Sequence, residues 1–282
     1  FNYTTFSGGV IGLDISDTDT DTEFNTEYFY TIPEFSFMKD YGLALPLCSL
    51  RNEDIFFKVD YAPLSEVMTS STATNYGTQP SLESKCIVEY VHLDVDEKKR
   101  FLQNSHEYII ENVREVTIPS AITTSDTPIS LTGTSGLIKY ILFTGIPNAP
   151  TPTKNNSLNV PTELKFKKIN LSLDGNNLNM ESLPKEVYTR LELNRYFKGG
   201  GRDLSATTSN KGHLDTIGVF PIAIDPMNYT QPSGAISNVQ SGISEITLDF
   251  FQNSTDNGIK IYVVNYNILR ISDGRCQKMI AI

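Results

Sequence analysis

The chain has no tryptophan, three cysteines and three histidines in 282 residues. Cys48, Cys86 and Cys276 are far apart and odd in number, and no CxxC or Cys/His pairing occurs. That spacing gives neither a zinc site nor a disulfide framework. Free, buried thiols are the plainer expectation and suit a reducing compartment. Cations are outnumbered, with 23 Lys and Arg against 33 Asp and Glu and a net charge of −10. An extended nucleic-acid face needs the opposite balance, because Lys and Arg must replace phosphate counterions. The one basic stretch, Lys165-Phe166-Lys167-Lys168, is too short to change this and reads as a solvated strand face. No apolar run reaches the ~18 residues of a membrane span, and no signal peptide opens the chain.

Catalytic signatures are lacking too. His92, His106 and His213 stand alone; His106 adjoins Glu107, but no GxSxG or comparable nucleophile motif accompanies them. His106 is therefore read as a structural residue at a helix end. Gly199-Gly200-Gly201 follows a helical pattern and lacks the order of a phosphate-binding loop. The acidic run Asp14, Asp17, Asp19, Asp21, Glu23 resembles a calcium loop. Thr22 stands where the turning glycine belongs, however, and Tyr28 replaces the bidentate glutamate. We expect no catalytic residue, no metal and no cofactor. Carboxylates at a glycosidase-like separation are neither indicated nor excluded.

What is present favours strands: 15 Phe, 14 Tyr and many Thr, Ile and Val, in short apolar runs separated by turn residues. The pattern predicts strands at Ile55–Tyr61, Cys86–Leu93, Leu137–Phe143, Lys165–Leu173, Val219–Ile224, Ile243–Phe251 and Ile259–Ile271. Asp174-Gly175-Asn176-Asn177 reads as a turn. Asp94 and Glu97 have capping-box spacing ahead of a short helix, and Ser182–Phe197 reads as the strongest helix, capped by Ser182 with Leu183, Val187 and Leu191 on one face. His106–Val113 fits helix and strand templates equally. Few helices, many strands and long polar loops make an antiparallel all-β sandwich. Sequons fall at Asn2, Asn155, Asn170, Asn228 and Asn253, of which Asn155, Asn228 and Asn253 are carried as candidate glycosylation sites.

Four segments, in order, resemble the major capsid proteins of the nucleocytoplasmic large DNA viruses. They are Gly42-Leu43-Ala44-Leu45-Pro46-Leu47, then Val88-Glu89-Tyr90-Val91-His92-Leu93-Asp94 with Asp96–Phe101 and Ser105–Glu111. Phe220–Pro226 with Gln231-Pro232-Ser233-Gly234 is the third, and Ile261-Tyr262 with Asn265–Ile271 the fourth. Two stretches depart from the family pattern: Ser182–Phe197, and the tail from Asp273 to Lys278. The resemblance implies a double jelly roll, all-β, with short helices in the connections. It divides the chain into residues 1–94 as the C-terminal part of a first jelly roll, 95–105 as a helical linker and 106–282 as a second jelly roll. It settles Tyr108–Val116 as the opening strand of that second unit. Only about three strands precede Asp94 where a whole jelly roll needs eight, so the first roll is expected to be incomplete in this chain.

The resemblance further implies a structural subunit forming trimeric, pseudo-hexagonal capsomers of an icosahedral shell. Its partners would be copies of itself, neighbouring capsomers and minor capsid proteins, with no direct nucleic-acid binding and only an indirect relation to an internal viral membrane. Its location would be the virion, after assembly in the cytoplasm of the infected cell. The alternatives are a jelly-roll carbohydrate-binding or adhesion module, with Tyr28–Tyr30 as stacking residues, and a single-jelly-roll spike or penton protein.

Overall fold

The computed structural model describes residues 37, 41–56, 58, 60, 88–116, 118, 128–131, 133–134, 136–145, 164, 166–178, 183–196, 217–228, 231–238, 244–250 and 259–279. Two 3-10 turns, Tyr41–Leu43 and Leu47–Ser49, precede helix α1, Val95–Gln103. Eleven strands follow among the described residues. They are β1 (His106–Val116), β2 (Pro128–Ser130), β3 (Gly136–Gly145), β4 (Phe166–Leu173), β5 (Asn176–Asn177) and β6 (Leu183–Pro184). Beyond them come β7 (Ile217–Pro221), β8 (Ile236–Asn238), β9 (Glu245–Phe250), β10 (Ile259–Ser272) and β11 (Arg275–Lys278).

The strands form two antiparallel sheets. One runs β1-β10-β3-β7, with β11 on β10 and β8 on β3; the other runs β2-β9-β4-β5, with β6 on β4. First and last long strands are neighbours, and once the short β5, β6, β8 and β11 are set aside the strands β1, β2, β3, β4, β7, β9 and β10 alternate between the sheets, which is the jelly-roll order. Closing it requires partners far apart in sequence, such as His106 opposite Ile271 and Val116 opposite Ile261.

Alternation decides what fills the space between the sheets. Ile138, Ile141 and Phe143 from β3 meet Ile259, Ile261 and Val263 from β10; Phe166, Ile169, Leu171 and Leu173 from β4 and Ile246 and Leu248 from β9 face them. Phe143 packs edge-on to Phe166 (ring centroids 5.5 Å apart) and to Tyr188 (6.2 Å). Burying each such side chain contributes about 1.5–3 kcal/mol, so this interface dominates the stability.

The β4–β5 hairpin turns at Asp174 and Gly175, both with positive φ (51° and 77°), as the Asp-Gly-Asn-Asn sequence requires. The β4 alternation slips between Phe166 and Lys168, where its pairing with β9 shifts register.

Three expectations need correction. The helix assigned to Ser182–Phe197 does not begin at Ser182: Leu183 and Pro184 form β6, opposite Ile169 and Lys168. Proline lacks an amide donor but serves at a sheet margin. A π-helical turn, Val187–Glu192, then runs into α2, Leu193–Tyr196. Its wider bonding changes which residues share a face. Tyr188, Thr189 and Leu193 are buried, while Leu183 and Leu191 are exposed. The strand expected at Ile55–Tyr61 is not formed at Ile55, Phe56, Lys58 or Asp60, which are exposed; the same holds for residues 88–93 of Cys86–Leu93, exposed apart from the half-buried Leu93. An alternating pattern becomes a strand only where a neighbouring strand supplies a ladder, and neither stretch belongs to a sheet among the described residues. The tail from Asp273 to Lys278, which departs from the family pattern in sequence, completes a hairpin in which Arg275–Lys278 pairs with Leu269–Ser272.

Candidate assembly surface

The junction entering the sandwich is built around Phe101. The Glu97 carboxylate accepts from the Asp94 amide at 3.2 Å, which starts α1 where the capping-box spacing places it. At its other end the Phe101 carbonyl accepts from Ser49 Oγ and from His106 Nε2, both at 2.8 Å. A carbonyl can only accept, so Nε2 carries the proton. The His106 ring also stacks on Phe101, centroids 4.9 Å apart. His106 thus ties the helix to the first residue of β1, and its Nε2 is engaged on a backbone oxygen.

The segment before α1 grips the β10–β11 hairpin. Asn52 donates its amide to Gly274 O (3.0 Å) and its side chain to Asp273 O (3.2 Å). Glu53 accepts from the Cys276 amide at 3.0 Å. Burial, and then the Glu53 charge, push the Cys276 thiol up, which disfavours the reactive thiolate.

On the outer face of the six-stranded sheet, β1 presents three glutamates, each beside a cation. Glu107 pairs with Arg270 (3.7 Å) and Glu115 with Lys260 (3.3 Å), both well exposed. Such pairs contribute little. The middle pair differs: Glu111 binds Lys139, whose side chain is 2% exposed. Lys139 is the extra residue of a β-bulge, since Val264 opposes Tyr140 and Asn265 opposes Ile138. Ile138 and Ile141 both join the inner core, so Lys139 and Tyr140 both turn outward. The ammonium lies 5.0 Å from the Tyr266 ring centroid and 5.8 Å from that of Tyr140. Burial, then the Glu111 charge and Tyr266, push the Tyr140 phenol up to about 12.

One mouth of the sandwich is closed by a polar chain that crosses between the sheets. Asn265 donates to Thr134 O (3.1 Å), Asn238 to Thr134 Oγ1 (3.4 Å) and Ser244 to Asn238 Oδ1 (2.5 Å). Ser244 Oγ accepts from the Asp174 amide in the β4–β5 turn at 2.9 Å.

Of the residues singled out by sequence, Asn228 sits half-buried in a turn, with Oδ1 accepting from the Gln231 amide at 3.2 Å. Asn155, Asn253, His213, Cys86, Lys165, the acidic run 14–23 and Tyr28–Tyr30 lie outside the described residues. So do residues 69–81, 146–161 and 199–216. His92 is exposed. Among the described residues no three His, Cys, Asp or Glu side chains gather to hold a metal, and no helix is long and apolar enough to cross a membrane. Sequence reading missed the Lys139–Glu111 pair. The signal was a lone lysine inside Leu137–Phe143, a run otherwise destined for burial.

No family model matches the sequence. Among curated proteins, the chain is 26% identical over 272 residues to the major capsid protein of Pyramimonas orientalis virus, covering 86% of this chain and 58% of that protein. It is 34% identical over 111 residues to the major capsid protein of Paramecium bursaria Chlorella virus 1, covering 36% of this chain and 24% of the relative. Among solved structures it resembles VP54 of PBCV-1, a crystal structure fitted into a cryo-EM reconstruction of the virophage Sputnik. The TM-score is 0.50 at 18% identity, over 67% of this chain and 55% of that one. This last likeness is one of fold. The chain therefore spans little more than half the length of the first of these relatives.

Proposed function

We propose that this chain, a relative of the major capsid proteins of nucleocytoplasmic large DNA viruses, is a wall-building subunit of an icosahedral virus shell. The observation that carries the reading is the similarity to one such protein across 86% of the chain. It is joined by a jelly-roll order of strands that sequence distance alone would not produce. Residues 106–282 then form a jelly roll, 95–105 the linker, and 1–94 the end of a preceding jelly roll.

In this reading three subunits form a pseudo-hexagonal capsomer that contacts neighbouring capsomers and minor capsid proteins. The protein resides in the virion after assembly in the host cytoplasm, binds no nucleic acid directly and meets any internal membrane only through other proteins. It carries no catalytic residue, because a shell block needs rigid walls and complementary edges rather than a reactive site. Asn155, Asn228 and Asn253 remain candidate glycan acceptors; peptide mass mapping of virion-derived protein would find or exclude a glycan at each. Tyr28–Tyr30, on which the sugar-binding alternative rested, lie outside the described residues.

The test is the mass of the full-length protein in solution. An obligate shell interface buries on the order of 2,000 Å² or more, so a trimer should persist at micromolar concentration. A monomer at that concentration, together with binding on a glycan array, would replace this reading with the carbohydrate-binding one.

A further inference from the structure

The Lys139–Glu111 pair does more than fill the outer face of the sheet. The backbone carbonyl of Lys139, the bulged residue of β3, faces the segment that follows β7. That carbonyl accepts two amides from the segment after β7, Ile222 at 3.1 Å and Ala223 at 2.9 Å. The segment is a tied strap. Ser233 Oγ accepts from the Asp225 amide and donates to the Asp225 carbonyl, both at 2.8 Å. Asn228 donates its amide to the same carbonyl at 3.2 Å. Ala223 and Pro226 are buried beneath the strap, while Ile224 is 80% exposed on its outside. One residue therefore holds the strap by its backbone and is itself held by a single carboxylate.

We propose that the Glu111–Lys139 ion pair is a latch that keeps the 222–228 strap seated against β3. The inference rests on this geometry and not on the capsid reading. A lysine buried this deeply needs its counter-charge, and losing one partner of such a pair costs far more than losing both. Removing the Glu111 charge would leave the ammonium beside the phenol rings of Tyr140 and Tyr266. Asp225 on the strap also acts on Tyr266. Glu107 and Glu115 are engaged by Arg270 and Lys260. Lys139 would then move toward water, and the bulge carbonyl would move with it. Ile222 and Ala223 would lose their acceptor while the inner core of Ile138, Ile141 and Val263 stays packed.

Amide hydrogen exchange on the full-length protein tests this, read as protection factors for the strap and, as an internal control, for β4 and β9. In Glu111→Gln at about pH 7, strap protection should fall at least tenfold with β4 and β9 unchanged. Lys139→Met combined with Glu111→Leu replaces the pair by apolar groups and should keep the strap protected. If Glu111→Gln does not fold, the double variant decides. Strap protection lost in the double variant overturns the latch, as does wild-type protection in Glu111→Gln.

Discussion

The side-chain amide of Asn265, fully buried in β10, donates to the backbone carbonyl of Thr134, 131 residues earlier in the chain and 3.1 Å away. Thr134 in turn meets Asn238, and Asn238 meets Ser244, so one amide anchors a chain of polar groups across the mouth of the sandwich.

Replacing Asn265 with alanine strands the partner groups without water. A buried polar atom left unpaired costs about 1–3 kcal/mol. In a domain of this size each kcal/mol lowers Tm by roughly 2–4 °C. Asn265→Ala should therefore melt several degrees earlier, and its effect should be non-additive with that of Asn238→Ala. Calorimetry of the two single variants and the double variant checks this; simple additivity would mean that the contacts act independently.

Gly218 in β7 lies against the Phe143 ring, where a Cβ would fall 2.0 Å from a ring carbon. Phe143 is completely buried between the sheets and has no room to withdraw. Gly218→Ala should destabilise the fold by about 1–3 kcal/mol through overpacking, read from the denaturant midpoint. Gly218→Ala combined with Phe143→Leu should recover part of the loss. An unchanged midpoint in the single variant would mean that the Phe143 ring packs less tightly across β7 than described.

Truncation separates β10 from β11. Deleting everything after Asn257 removes the strand that pairs with both β1 and β3, and no soluble folded protein should remain. Removing Gln277–Ile282 takes away half of the short β11 ladder and the Met279 amide bond to Ile268 O. That shorter loss should lower the melting temperature yet leave a cooperative transition. A cooperative melt in the longer deletion would require a different pairing in the six-stranded sheet.

Alkaline stability should report on Tyr140. Its phenol is raised from an ordinary value of 10.0 to about 12, first by burial and then by Glu111 and Tyr266. The folded chain holds this proton more tightly than the unfolded chain. The contribution is therefore complete below about pH 10 and is lost as pH rises through about 12. It amounts to on the order of 2–3 kcal/mol. Unfolding curves collected across this window should show a fall in stability that Tyr140→Phe makes shallower. An identical slope in the variant would place the alkaline sensitivity elsewhere.

The parts legible in the sequence share one property: their signal is local. The α1 cap needs only Asp94 and Glu97 three residues apart, and the Asp174-Gly175 turn only a residue pair tolerant of positive φ. The β3, β9 and β10 runs announce themselves by apolar density. In β10 even the interruption was readable, since Asn265 and Asn267 break an apolar run, and both are buried beside or near the bulge. The helix start misread at Ser182 shows the opposite case. Serine followed by proline satisfies the rules for a helix N-terminus, yet Leu183 and Pro184 are claimed by β4, a partner no local rule can see.

The sequence by itself determined that this protein is an antiparallel β sandwich, and where the Asp174-Gly175 turn and helix α1 fall. These follow from side-chain period, backbone preference and capping, each set within a few residues. Only the tertiary structure decided that β1 lies beside β10, that Lys139 is an outward-facing bulge held by Glu111, and that Thr134, Asn238 and Asn265 meet. Those arrangements depend on which distant strand supplies the missing hydrogen bonds and counter-charge, and that is fixed only when the two sheets close on one another.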